Sequence, residues 1–197
     1  MKRHVPFILT LFTWAGVASA QPAVELQPGA QLAIDGTSTV RSFTCKAGVV
    51  KARLTPGEAG GSLVPEQLAT ALREVRLEVP AGQLDCANET MNEHMLKALK
   101  APENPTILFQ MSGYEAGAGK DGLVPLHIRG ALSMAGASRP IELEARATPT
   151  PEGGLRVRGQ YALRMTDWGV RPPTLMLGAM KVGDSVVIRF DFTLARK

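Results

Sequence analysis

Hydrophobic and polar residues alternate along most of this chain with the two-residue period of half-buried strands. Val75, Leu77 and Val79 fall on one side, and Arg76 and Glu78 on the other. Leu126, Ile128 and Leu132 alternate with His127, Arg129 and Ser133. Ile141, Leu143, Ala145 and Ala147 oppose Glu142, Glu144 and Arg146. Leu155, Val157, Tyr161 and Leu163 oppose Arg156, Arg158, Gln160 and Arg164. The last run puts Val186, Ile188, Phe190, Phe192 and Leu194 on one face, against Arg189, Asp191 and Thr193. Leu32 to Leu54 reads as extended structure with a break near Gly36, carried by Val40, Phe43, Val49 and Val50. Gly- and Pro-containing loops punctuate the runs at Thr55–Ser62, Ala116–Gly122, Gly136–Pro140 and Thr148–Gly154. Pro65–Leu72 suits a helical turn with proline at its first position.

One stretch breaks the rhythm. From Thr90 the period changes to that of a helix, with Met91, Met95, Ala98 and Leu99 on one face and His94 beside them. Thr90 and Glu93 have the spacing of a capping box. Glu93 precedes Lys97 by one turn, the favourable order for an ion pair. Pro102 and Pro105 are expected to end the helix. Ile107, Phe109 and Met111 then alternate with Leu108, Gln110 and Ser112 as the next strand.

The pattern thus predicts an all-β domain of about eight antiparallel strands with one or two short helices. No βαβ rhythm, repeat or low-complexity tract is present. Period two does not choose between a sandwich and a barrel, nor between a packed interior and a hollow one, because all demand inward apolar residues.

The first residues add a location. Lys2, Arg3 and His4 precede an apolar run from Val5 to Val17 and then Ala18-Ser19-Ala20, the layout of a secretory signal peptide spanning residues 1–20. The run is too short to favour a membrane span. Gln21 after the expected cut, in place of cysteine, predicts no lipid anchor. Residues 21–197 then form one exported domain, in the periplasm of a Gram-negative cell. The formal charge of +4 includes Lys2 and Arg3, so the domain itself is nearly neutral. It has no basic stripe for nucleic acid. Two cysteines in an exported chain point to a Cys45–Cys86 disulfide, with two unrelated buried thiols as the alternative.

Candidate chemistry is sparse. His94 and His127 are the only histidines after the leader, too few for a zinc site beside a bonded cysteine pair. His127, on the polar side of its strand, reads as a solvated residue. Met91, His94 and Met95 on one helical face could hold Cu(I), but methionine more often fills irregular apolar space. No nucleophile elbow, Ser-x-x-Lys pair or phosphate loop is present. No catalytic residue, metal site or cofactor is assigned.

Several segments resemble, in order and spacing, the YceI-like family of periplasmic lipocalin-like proteins. "LAIDGTSTVRSF" resembles its opening strand pair through Asp35, Ser38, Val40 and Phe43. "VRLEVPAGQLD" resembles the strand before the central helix, and Pro105, Ile107 and Phe109 its exit. "HIRGALSMAGASRPIELE" resembles the central strand pair through Gly130, Leu132, Gly136, Pro140 and Leu143. "MTDWGVRPP" and "KVGDSVVIRFDF" resemble the closing turn and strand through Asp167, Trp168, Gly169, Gly183 and Asp184. The chain departs from the family where an Arg-Asp pair is usual on the helix and Met91-Asn92 stands here. It departs again near Met165-Thr166, where Arg164 is displaced by one residue, and in its two cysteines. The resemblance implies an antiparallel lipocalin-like β-barrel holding an apolar lipid of the polyisoprenoid class, such as an isoprenoid quinone or polyprenyl lipid. It implies no membrane span and at most transient membrane contact; oligomeric state is left open.

On that reading Met91, Met95, Leu99, Ile107, Phe109, Ile128, Leu143, Val157, Tyr161, Phe190 and Phe192 line the ligand cavity. The helix is expected to close one barrel end. Only seven aromatics follow the leader, so aliphatic side chains must supply most of the wall. The alternative is a ligand-free periplasmic interaction or stress-response protein with a packed core. A periplasmic enzyme ranks third.

Overall fold

The computed structural model describes residues 23–175 and 180–197. The expected leader, residues 1–20, lies outside them. Among the described residues, twelve strands and one α-helix follow in order: β1 (Val24–Leu26), β2 (Gln31–Ser38), β3 (Ser42–Ala47), β4 (Lys51–Pro56), β5 (Leu72–Pro80), β6 (Leu84–Asp85), α1 (Glu89–Ala98), β7 (Thr106–Ala116), β8 (Val124–Met134), β9 (Ala137–Pro149), β10 (Leu155–Arg164), β11 (Thr174–Leu175) and β12 (Met180–Arg196). Short 3-10 turns occupy Pro65–Thr70, Ala81–Gln83 and Met165–Trp168. The first of these matches the helical turn expected there.

All pairings are antiparallel, in the order β4-β5-β7-β8-β9-β10-β12-β2-β3-β6, with β1 and β11 also on β12. The two ends of this path meet. β3 runs into β4, and β5 into β6. Lys46 faces Asp85 in one ladder and Lys51 faces Glu78 in the other. Between them Gly48 N–H donates to Gln83 O at 2.7 Å. Each of these strand pairs is therefore one interrupted strand, and the circuit closes as a barrel of eight. Closure removes the free edges that an open sheet would expose.

Three local expectations shift. Gly36 lies inside β2, where the Phe43 ring covers the space its side chain would take, and the chain reverses instead at Thr39–Val40, where Ser38 N–H donates to Arg41 O at 2.9 Å. Pro140 lies inside β9, and the hairpin before it is the two-residue turn Ala135–Gly136, both at positive φ (51° and 84°). That backbone twist matches the twist of the flanking strands. The helix is capped by Asn88, whose Oδ1 accepts from Met91 N–H at 2.9 Å, and Thr90 falls inside the first turn. The Asn88 side chain reaches the first free amide before the Thr90–Glu93 pair can.

The buried residues form two groups, one at each end. The first surrounds Leu84, Leu99, Met134 and Trp168 beneath α1. The second surrounds Leu63, Leu68, Val124, Leu155 and Leu194 at the opposite end. Between them the barrel is not filled.

Candidate functional site

The unfilled region is a cavity of about 560 Å³ running along the barrel axis. Its waist is a belt of inward residues at one height. Ile128 faces Leu143 across β8 and β9, Tyr161 faces Ile188, and Ile188 faces Ile34. Each sits near the middle of its strand, where a packed core would bury it most. Each is only half-buried. The exposed part of these side chains faces the lumen, because their strand neighbours Arg129, Glu142, Gln160 and Arg189 take the outer face.

All eleven cavity residues named from the sequence lie on this wall: Met91, Met95, Leu99, Ile107, Phe109, Ile128, Leu143, Val157, Tyr161, Phe190 and Phe192. The helix supplies the first three and so covers one end, as its apolar face suggested. Others were not singled out from the sequence as lining a site, among them Ile34, Leu68, Tyr114, Met165 and Met180. Tyr114 belongs to the far end. Its hydroxyl donates to Leu68 O and accepts from Leu72 N–H, tying the Pro65–Thr70 turn across the barrel floor. Burial pushes its phenol pKa up, so it stays a neutral donor. No sequence signal marks this, since the partners are 46 and 42 residues away.

The floor holds no exposed wall residue; Leu63, Leu68, Ala71, Leu155 and Leu194 are all buried. Among the described residues, the exposed ones on the wall are Arg41, Asn88 and Thr90. The cavity therefore opens between the β2–β3 hairpin and the start of α1. Ser38 and His94 join them, so most polar groups of an otherwise apolar wall gather at this mouth. Deeper in, Tyr161 presents a hydroxyl. Burial first, and then the Asp167 charge, raise its pKa, which keeps it protonated.

The end of the barrel under α1 is held by hydrogen bonds rather than by packing alone. Trp168, buried, donates from Nε1 to Leu132 O at 2.8 Å. Asp184 accepts from Thr166 N–H at 2.9 Å and Thr166 Oγ1 at 2.7 Å, with Arg164 at 3.3 Å. These bonds, Thr166 foremost, lower the Asp184 pKa. Arg164, displaced by a residue from the family position, is thus engaged on the outer wall. Asn92, standing where the family has an acid, donates from Nδ2 to Asp85 at 2.9 Å and accepts from Cys86 N–H at 2.8 Å. Cys86 is disulfide-bonded to Cys45, and its sulfur lies 3.7 Å from Met95 Sδ.

Met91, His94 and Met95 share the cavity wall. Among the described residues, no three His, Cys, Asp or Glu side chains converge. His127 sits on the polar outer face, as its strand position suggested. It bridges Glu144 at 2.7 Å and Glu142 at 3.4 Å on the outer wall, away from the lumen.

A closed antiparallel barrel with a helix over one end and an apolar lumen defines the lipocalin-like class. Residues 32–194 match the YceI-like domain family, and the chain belongs to that family. No curated protein matches it. Among solved structures, BcnA of Burkholderia cenocepacia shares the fold at TM-score 0.65 and 13% identity, over 84% of this chain and 96% of that one. A polyisoprenoid binding domain from Saccharophagus degradans, implicated in plant cell wall breakdown, gives 0.66 at 11% identity, over 89% and 99%. The YceI protein of Campylobacter jejuni gives 0.57 at 16%, over 78% and 84%. At these identities the likeness is one of fold.

Proposed function

We propose that this chain carries a long apolar lipid of the isoprenoid class in its barrel, in an exported setting. The observation that carries the proposal is the half-buried waist: a belt of four aliphatic side chains and Tyr161 around an unfilled axis. A hydrocarbon tail supplies the missing contacts there, and each buried CH₂ contributes roughly 0.8 kcal/mol before ordering costs. The separated ends suit an amphiphile, with its tail toward Leu155 and Leu194 and its polar end near Arg41 and His94. The polyisoprenoid binding named for the Saccharophagus degradans domain supports the ligand class, as does family membership. The leader-like residues 1–20 support export.

Affinity is expected to rise along a series of isoprenoid alcohols of increasing length and to level off once the lumen is full. Titration against the purified protein measures this, and native mass spectrometry of protein from its own host identifies what it carries. Length-independent binding, or none, would return the reading to a ligand-free interaction protein.

A further inference from the structure

We propose that the barrel rim on the side of the β2–β3 hairpin docks on an anionic lipid surface. At the hairpin tip, Val40 is 66% exposed, more than Val64, Val49 or Leu123, the other exposed large apolar residues. Its position is fixed. Ser38 Oγ accepts from Val40 N–H at 3.3 Å and Arg41 N–H at 3.1 Å, and donates to Arg41 O at 2.9 Å. The tip thus holds an apolar side chain outward on a braced turn.

Cations surround it. Thr39 N–H donates to Lys181 O at 2.9 Å, and Lys181 N–H to Thr39 Oγ1 at 3.2 Å, which seats Lys181 beside the tip. Val182 N–H donates to Pro173 O at 3.0 Å and brings in the segment that begins at Arg171. Arg41, Arg171 and Lys181 are all exposed, and among the described residues none has an ion-pair partner. The nearest carboxylate on β12, Asp184, is engaged by Thr166 and Arg164. Glu89 and Glu93 stand on α1, across the mouth. Asp167, on the turn before Arg171, is an exposed carboxylate on the hairpin side, so Arg41, Arg171 and Lys181 leave that side net positive, and the rim meets an anionic surface hairpin-first with α1 tilted away.

A protein partner would need a broad apolar core to bury, and among the described residues the tip offers one exposed large apolar side chain, Val40. A single apolar contact ringed by cations fits a plane of anionic headgroups, where each cation near the surface adds about 1 kcal/mol. The lumen opens beside this hairpin, so docking sets its exit against the lipid.

Flotation of the full protein with phosphatidylglycerol-containing vesicles, and with pure phosphatidylcholine vesicles, tests this. Binding is expected to the first only, and to fall with salt. The Arg171→Gln/Lys181→Gln variant is expected to bind about thirtyfold more weakly. Lys120→Gln, on the loop at the far end, is expected to bind like the parent. An environment-sensitive dye at Val40→Cys is expected to shift blue on anionic vesicles, and one at Lys120→Cys to stay unchanged. Equal binding to both vesicle types, no binding, or equal losses from the rim and far-end variants would overturn the proposal. Lipid retention by native mass spectrometry is read in the same samples. Retention without docking overturns the rim and leaves the cavity reading intact; docking without retention does the reverse.

Discussion

At the scale of single residues, the width of the lumen depends on glycines. Gly36 faces Phe43 and Gly159 faces Phe190 in the ladders, and in each pair the ring lies over its glycine. A side-chain carbon on Gly130 would likewise come within 2.6 Å of the Phe109 ring. All three rings belong to the cavity wall. Laid flat on glycine they keep the axis clear; upright they would cross it. Gly159→Ala is expected to lift Phe190 into the lumen, costing about 1–3 kcal/mol of stability by overpacking and weakening binding of long tails. Phe190→Leu in the same chain should restore tail binding and part of the stability, because the new methyl still meets the Glu144 carbonyl oxygen at 2.9 Å; denaturant melts and isoprenoid titration read the two. On the outer wall, the Glu144 hydrogen bond, followed by the charges of Glu144 and Glu142, raises the His127 pKa. A folded pKa above the unfolded value adds stability at low pH, and the gain fades as pH rises through the folded pKa. His127→Gln is expected to flatten the stability profile there, measured by urea melts across about pH 5 to 9.

At the scale of elements, α1 shows where local chemistry decides and where it only permits. Its apolar face and its start within a residue or two follow from sequence. Its end does not wait for Pro102. Lys100 N–H donates to Lys97 O at 3.1 Å and Ala101 N–H to Leu96 O at 3.0 Å, with Lys100 at φ 51°. This is a Schellman turn with lysine where glycine is the usual residue. The left-handed backbone costs an L-residue about 1–2 kcal/mol. Lys100→Gly is expected to stabilise the fold by about 1 kcal/mol, net of the added freedom of the unfolded chain. A rise in melting temperature would confirm it, and a fall would mean that the lysine makes a contact worth more than the strain.

At the scale of the whole molecule, the barrel has a weak seam. β3 and β6 share only two ladder pairs, Lys46–Asp85 and Ala47–Leu84. The Cys45–Cys86 disulfide crosses the same seam, with a sequence separation of 41. Closing a loop of that length is worth about 4 kcal/mol in the chain-entropy model. Reduction, or Cys45→Ser with Cys86→Ser, is expected to lower unfolding free energy by up to about that amount. Amide exchange should rise first in β3 and β6.

The sequence alone determined the strand faces, because which residues point together depends only on the two-residue period of an extended chain. That is why Ile128, Leu143, Val157, Tyr161, Phe190 and Phe192 all fall on one wall, and why Met91, Met95 and Leu99 face the same space from the helix. It did not determine whether that wall encloses a packed core or a lumen. Inward apolar residues serve both, and the difference lies in curvature and in how rings fold onto distant glycines such as Gly36 and Gly159. Tertiary structure alone also closed the circuit. The Lys46–Asp85 and Lys51–Glu78 ladders join two interrupted strands across dozens of residues, and that register is a property of the assembled sheet. The mouth followed from the same closure, since Arg41, Asn88 and Thr90 come from separate elements that only the curled barrel brings to one rim.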